Sequence, residues 1–161
     1  MSNLTTGVET HTITLVESQK TIIEQQVKYL ISPPATSQDL NTLFINAWAD
    51  FQPRDFTPVL NRSLGYVCAY RDDRLVGFVN VAWDGGQHAF LLDTTVHENM
   101  QHQGIGRELV RQAGEIARQA GAEWLHVDYE EHLSEFYEKC GFENTKAGLI
   151  RLRDEEGKRT T

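Results

Sequence analysis

Three β-rich runs, GYVCAY, RLVGFVNVAW and HAFLLDTTV, follow one another between Gly65 and Val96 with only RDD and DGGQ between them. Asp-Asp and Asp-Gly pairs tolerate the positive φ that a tight reversal needs, so they read as hairpin loops. Three strands on such short loops form an antiparallel meander, because parallel strands need crossovers of a dozen residues or more. The next connection is of that longer kind. After HEN the chain runs through a helical pattern that opens at Gly104 and Gly106, reaches Ala120 and stops at Gly121, a C-cap glycine. EWLHVDY (Glu123–Tyr129) then reads as a strand. Strand, crossover helix and strand make a right-handed unit, so this fifth strand lies parallel to the fourth, which ends at Val96.

The remaining text completes an α+β fold with a mixed, mostly antiparallel central sheet flanked by helices. VKYLIS is a strand ended by Pro33-Pro34. TSQDLNTLFINAWADF offers Thr36 and Ser37 as caps and places Leu40, Leu43, Phe44 and Trp48 at helical spacing. TPVLNRSL reads as a short second helix, LSEFYEKC as another stopped by Gly141, and FENTK with GLIRLR as a closing hairpin. Residues 1–26 form a polar arm whose pattern fits helix, strand or partial disorder, and residues 27–161 a single domain.

Composition narrows the class. Acidic residues outnumber basic ones 23 to 15, for a formal charge of −8. No basic face stands out, since Arg71, Arg74, Arg107, Arg111 and Arg118 are interleaved with acids, which speaks against nucleic acid as partner. No run approaches the ~20 apolar residues that span a bilayer, and the first residues lack a signal-peptide pattern. Cys68 and Cys140 make no C-x-x-C motif, so free thiols and a cytoplasmic setting are expected. His88, His97, His102 and His126 show no metal-ligand spacing, and no metal is expected.

Glycine costs roughly 1 kcal/mol relative to alanine inside a helix, so two at a helix mouth need a reason. The first N–H groups of a helix are unpaired and lie at the positive end of its dipole, and glycine lets a phosphate approach them. A Walker loop is ruled out because no lysine followed by Ser/Thr comes after these glycines, and a dinucleotide fingerprint because GIGREL has leucine at its third glycine position. QHQGIG (Gln101–Gly106) fits Q-x-x-G-x-G. With TTVHEN before it, Leu92–Val110 resembles the acetyl-CoA motif of the GNAT N-acetyltransferase superfamily. EFYEKCGF (Glu135–Phe142) resembles that family's aromatic–Tyr segment with its Gly-Phe end, and the two motifs with the element order cover roughly residues 27–153. One departure is Glu130, seven residues before the tyrosine, where the family often has asparagine.

The resemblance implies transfer of an acetyl group from acetyl-CoA to a primary amine. The fourth and fifth strands would splay apart, and the pantetheine arm would pair along Asp93–Val96, touching Thr94, Thr95 and Val96. Gln101, His102, Gln103, Gly104, Ile105, Gly106 and Arg107 would hold the pyrophosphate, and the N–H of Val96 or a neighbour would polarise the thioester carbonyl. Tyr137 matches the family's general acid for the leaving thiolate, with Phe136 turned to the core. Asp93, Glu130 and Glu131 are candidates for binding the incoming amine; Asp128 and His132 share the acidic VDYEEH segment with the two glutamates, and His97 is a further candidate base.

A small-molecule amine is the first reading of the acceptor. A peptide N-terminus or lysine, and a non-catalytic acyl-CoA sensor, are the alternatives. The arm and the closing hairpin offer surfaces for a homodimer. Trp48, Trp83 and Trp124 are expected to bury their rings in the core, Trp83 alternatively lining the acceptor pocket, and Cys140 to be a packing residue.

Overall fold

A computed structural model describes residues 26–152. The expected arm at 1–26, but for its last residue, lies outside the described residues. The chain divides into two compact units, one up to Tyr129 and one from Glu130 onward.

The first unit holds a five-stranded sheet in the order β1-β2-β3-β4-β5. Its strands are β1 (Lys28–Ile31), β2 (Gly65–Arg71), β3 (Arg74–Trp83), β4 (His88–Val96) and β5 (Trp124–Val127). The first four pair antiparallel and β5 lies parallel to β4, as the crossover rule requires. Asp72 and Asp73 both take positive φ, 50° and 58°, which makes the two-residue β2–β3 loop a left-handed reversal matched to strand twist. In the β3–β4 loop the Asp84 carboxylate accepts from the N–H groups of Gly86 and His88, so the aspartate folds the turn onto itself.

Helix α1 (Ser37–Ala47) starts where Thr36 Oγ1 accepts from Asp39 N at 3.1 Å. Short α2 (Thr57–Leu60) follows. Leu40, Leu43 and Phe44 of α1 and Phe56 pack with Cys68 and Phe78 of the sheet into one buried cluster. Helix α3 (Ile105–Gln119) buries Ile105, Leu109, Val110, Ala113 and Ala117, one stripe of an otherwise polar helix. It lies so near β3 that a Cβ on Gly77 would sit 3.0 Å from Leu109 and 3.1 Å from Ile105, so glycine is what permits that approach. Its end follows the expected design: Gly121 has φ 91°, and Ala122 N donates to Ala117 O.

In the second unit, α4 (Ser134–Lys139) ends at Gly141, whose φ is 93°. Two expectations fail here. FENTK and the described part of GLIRLR form no strand, and Leu149, Ile150 and Leu152 are exposed. A two-stranded hairpin is marginal without a third strand or a packed face, and this one has neither among the described residues. Tyr137, not Phe136, is the deeply buried aromatic of the helix: it is 5% exposed and meets Phe136 and Phe142 edge-on.

The tryptophans also depart from expectation. Trp48, Trp83 and Trp124 are 50%, 37% and 56% exposed. Trp48 and Trp83 sit at the ends of elements, where the indole N–H has a polar partner: Thr95 Oγ1 for Trp48 and Gly86 O for Trp83. Phenylalanine, with no polar atom to satisfy, fills the centre instead: Phe44, Phe51, Phe56 and Phe78 form a chain of ring contacts. Cys68 and Cys140 form no disulfide, and burial pushes the Cys68 thiol up to about 12, which leaves it an inert packing group.

Candidate active site

The ladder between β4 and β5 ends at Leu91 and Val127, while β4 itself runs on to Val96. From Leu92 onward β4 has β3 on one side and no paired strand of the described residues on the other. The same stretch is bulged. Phe78 faces Thr95 and Asn80 faces Leu92, so two steps of β3 oppose three of β4. Asp93 takes φ 56° to accommodate the extra residue, a conformation costing on the order of 1–3 kcal/mol in a residue other than glycine.

The bulge sets which backbone groups face outward. His97 N donates to Val76 O at 2.9 Å, toward β3. Successive peptide groups of a strand point to opposite sides, so the N–H and C=O of Val96 face the open edge. Gln101 Nε2 donates to that carbonyl at 3.2 Å, and Gln103 Nε2 to Asn99 O at 3.2 Å. The two glutamine side chains therefore brace the loop, and its backbone N–H groups are what it can present. His97 Nδ1 accepts from Asn99 N and caps the short 3₁₀ turn at Glu98–Met100.

Gly104, with φ 83°, is the N-cap of α3, and no side chain caps the helix. Ile105, Gly106 and Arg107 thus head a helix whose first-turn N–H groups lack the usual Ser, Thr or Asp acceptor. Arg107 is exposed at the same end. The acid of this turn, Glu108, is turned to Arg111 at 2.7 Å, and that hydrogen bond holds its carboxyl down at about 2. An anion at this terminus meets N–H groups and one arginine, with the first-turn carboxylate already paired. Thr94 Oγ1 is buried without a hydrogen-bond partner among the described residues. Leu92–Arg107 therefore offers an open strand edge followed by a helix terminus suited to an anion.

Around the bulge the structure gathers residues the sequence did not connect. Trp48 Nε1 donates to Thr95 Oγ1 at 3.2 Å, and Thr95 Oγ1 to Asp93 O at 3.0 Å. Arg54 Nη2 lies 3.4 Å from Asp93 Oδ1 and its guanidinium stacks over Phe56 at 4.7 Å. Asn41 fixes Arg54 by bonding both its N–H and its C=O. Burial raises the Asp93 carboxyl above its ordinary value, and Arg54 offsets only part of this. Nothing in the sequence pairs Arg54 or Trp48 with β4, since they lie 39 and 47 residues from their partners.

Of the other expected residues, His102 and Asp128 belong to the first unit, and Glu130, Glu131, His132 and Tyr137 to the second. Glu130 and His132 form an exposed pair at 3.3 Å, and Glu131 O accepts from Ser134 Oγ at the start of α4. Tyr137 is buried, as described above.

Comparison with known proteins agrees with this architecture. The acetyltransferase (GNAT) family model matches residues 32–142. An uncharacterized N-acetyltransferase, ycf52, of Pyropia yezoensis is 31% identical over 71 residues, 44% of this chain and 41% of its own length. The chain thus matches about two fifths of the length of its curated relatives. A GNAT-family acetyltransferase structure from Streptococcus pneumoniae superposes with TM-score 0.69 at 24% identity, covering 81% of this chain and all of that one. The aminoglycoside N-acetyltransferase AAC(6')-Iy, solved with CoA, does so with TM-score 0.65 at 14% identity, covering 81% and 95%. With the family model spanning more than two thirds of the residues, the meander, parallel fifth strand and glycine-headed helix are those of its fold: this chain belongs to the acetyltransferase (GNAT) family.

Proposed function

We propose that this protein transfers an acetyl group from acetyl-CoA to the primary amine of a small molecule by direct attack. The observation that carries this reading is the continuous stretch Leu92–Arg107, an open bulged edge leading into an uncapped helix N-terminus. Acetyl-CoA, when bound, supplies the activated acyl carbon. Thr94, Thr95 and Val96 hold its amide-bearing arm along the β4 edge, and the Val96 N–H offers a hydrogen bond to the carbonyl under attack. The N–H groups from Gln101 to Arg107, with the Arg107 charge, take the pyrophosphate.

A primary ammonium must lose a proton before it attacks. Asp93 is the base we favour, because its raised carboxyl accepts a proton nearer neutrality than an ordinary aspartate does. Arg54 holds it in place. As the new N–C bond forms and the C–S bond breaks, the thiolate takes a proton, which we assign to Tyr137 on its match to the family's tyrosine. Glu130 and Glu131 supply negative charge that attracts a cationic acceptor. The structurally similar AAC(6')-Iy is by its name an aminoglycoside N-acetyltransferase, which supports a small-molecule acceptor over a peptide.

The test is release of CoA from acetyl-CoA with polyamines, amino acids, aminoglycosides, arylamines and short peptides, run alongside Tyr137→Phe. One amine class should turn over, and the variant should lose about 10²-fold in kcat. Turnover confined to peptides would replace the acceptor class. Tight acetyl-CoA binding without turnover would make the chain a sensor.

A further inference from the structure

Asn80 sits in the middle of β3, flanked by Val79 and Val81 and two residues from Phe78. It is 2% exposed, and its Oδ1 accepts no hydrogen bond from any described residue. Leaving such a group unpaired costs about 1–3 kcal/mol, and leucine there would avoid the cost. The amide instead lines an open hollow of about 320 Å³ between α2 and the sheet. Pro58, Val59, Ala82 and Leu92 make its other walls apolar. Ser63 is also at the wall, but its hydroxyl already donates to Val59 O, and Arg62 Nη1 to Pro58 O. Asn80 therefore presents the hollow's buried, uncommitted polar group.

Its position is informative. Asn80 faces Leu92 across the ladder, and Leu92 is the first β4 residue beyond the β5 pairing and the neighbour of Asp93. A ligand in the hollow thus lies beside the bulge.

We propose that this hollow is the acceptor's specificity subsite, and that Asn80 selects an aliphatic amine bearing a neutral hydrogen-bonding group, such as a hydroxyl, on its far end. The proposal deepens the transferase reading and rests on it for the kind of occupant. A hydroxyl donated to Asn80 Oδ1 satisfies the orphan oxygen, whereas a methyl group there leaves it unpaired.

The experiment is a binding titration without acetyl-CoA, using amino alcohols of two to five carbons against alkylamines in which a methyl replaces the hydroxyl. Wild type should bind the best amino alcohol about tenfold more tightly than its methyl counterpart, and that pair should come within twofold in Asn80→Leu. The Asn80 side-chain amide resonance of the wild type should shift with the amino alcohol and not with the alkylamine, which keeps the test valid if the variant misfolds. Equal affinities in wild type, a preference that survives in Asn80→Leu, or no binding of either series would overturn the proposal and leave a resident water as the amide's partner. Failure of the transferase reading would appear separately, as absence of CoA release with every amine.

Discussion

The buried cluster under α1 and the bulged end of β4 share the same sheet but follow opposite rules. In the cluster, Leu40, Leu43, Phe44, Phe56 and Phe78 present no polar side-chain atom, and each is at most 2% exposed. At the bulge, an aspartate takes positive φ, a threonine hydroxyl is buried unpaired among the described residues, and a carboxyl is pushed above its ordinary value. One region is satisfied by its own residues and gains stability from burial. The other is left incomplete at some cost in strain and unpaired polar groups, as binding sites are when a ligand supplies what is missing.

The contrast can be broken from either side. The largest effect belongs to the closed region: Leu40→Ala should lower stability by about 2–5 kcal/mol, read by urea unfolding. The folded fraction should keep its affinity for acetyl-CoA, and a parallel loss of affinity would mean that the regions are not separable.

At the bulge, Asp93→Asn should cost roughly 10²-fold in kcat/KM for the acceptor and abolish the acid limb of the pH profile that belongs to this group. Stability should respond in its own direction. A folded carboxyl with a raised pKa holds its proton where the unfolded chain has lost it, so wild-type stability should fall as pH rises from the ordinary aspartate value through the raised one. The asparagine variant should lack that segment of the curve. An identical pH dependence in both proteins would remove Asp93 from the account.

A smaller effect is expected at the helix mouth. Gly104→Ala meets open space but must adopt φ 83°, so the change should cost about 1 kcal/mol of stability. The KM for acetyl-CoA should rise severalfold as the turn relaxes away from its binding conformation.

Much of this was legible in the sequence. The meander, the parallel fifth strand, the Thr36 cap and the glycine terminators at 121 and 141 all follow from local rules of turn chemistry and crossover handedness. The motif QHQGIG marked the helix mouth because its signal is short-range. What escaped was set by tertiary position. Hydrophobicity alone does not tell an aromatic at an element's end from one at its centre, so three tryptophans were expected inside where phenylalanines lie. It likewise does not say which of Phe136 and Tyr137 turns inward. Arg54 reaches Asp93, and Trp48 reaches Thr95, only once α1 has docked on the sheet. The closing hairpin was inferred from alternation alone, which supplies a strand's pattern but not its partner.

The measurement that bears most directly on the central claim is amide hydrogen exchange with and without acetyl-CoA. The account predicts new protection at Val96 and at Ile105–Arg107, with the β2 amides of the closed region unchanged. Binding of acetyl-CoA that left the β4 edge and the head of α3 exchanging as before would contradict it.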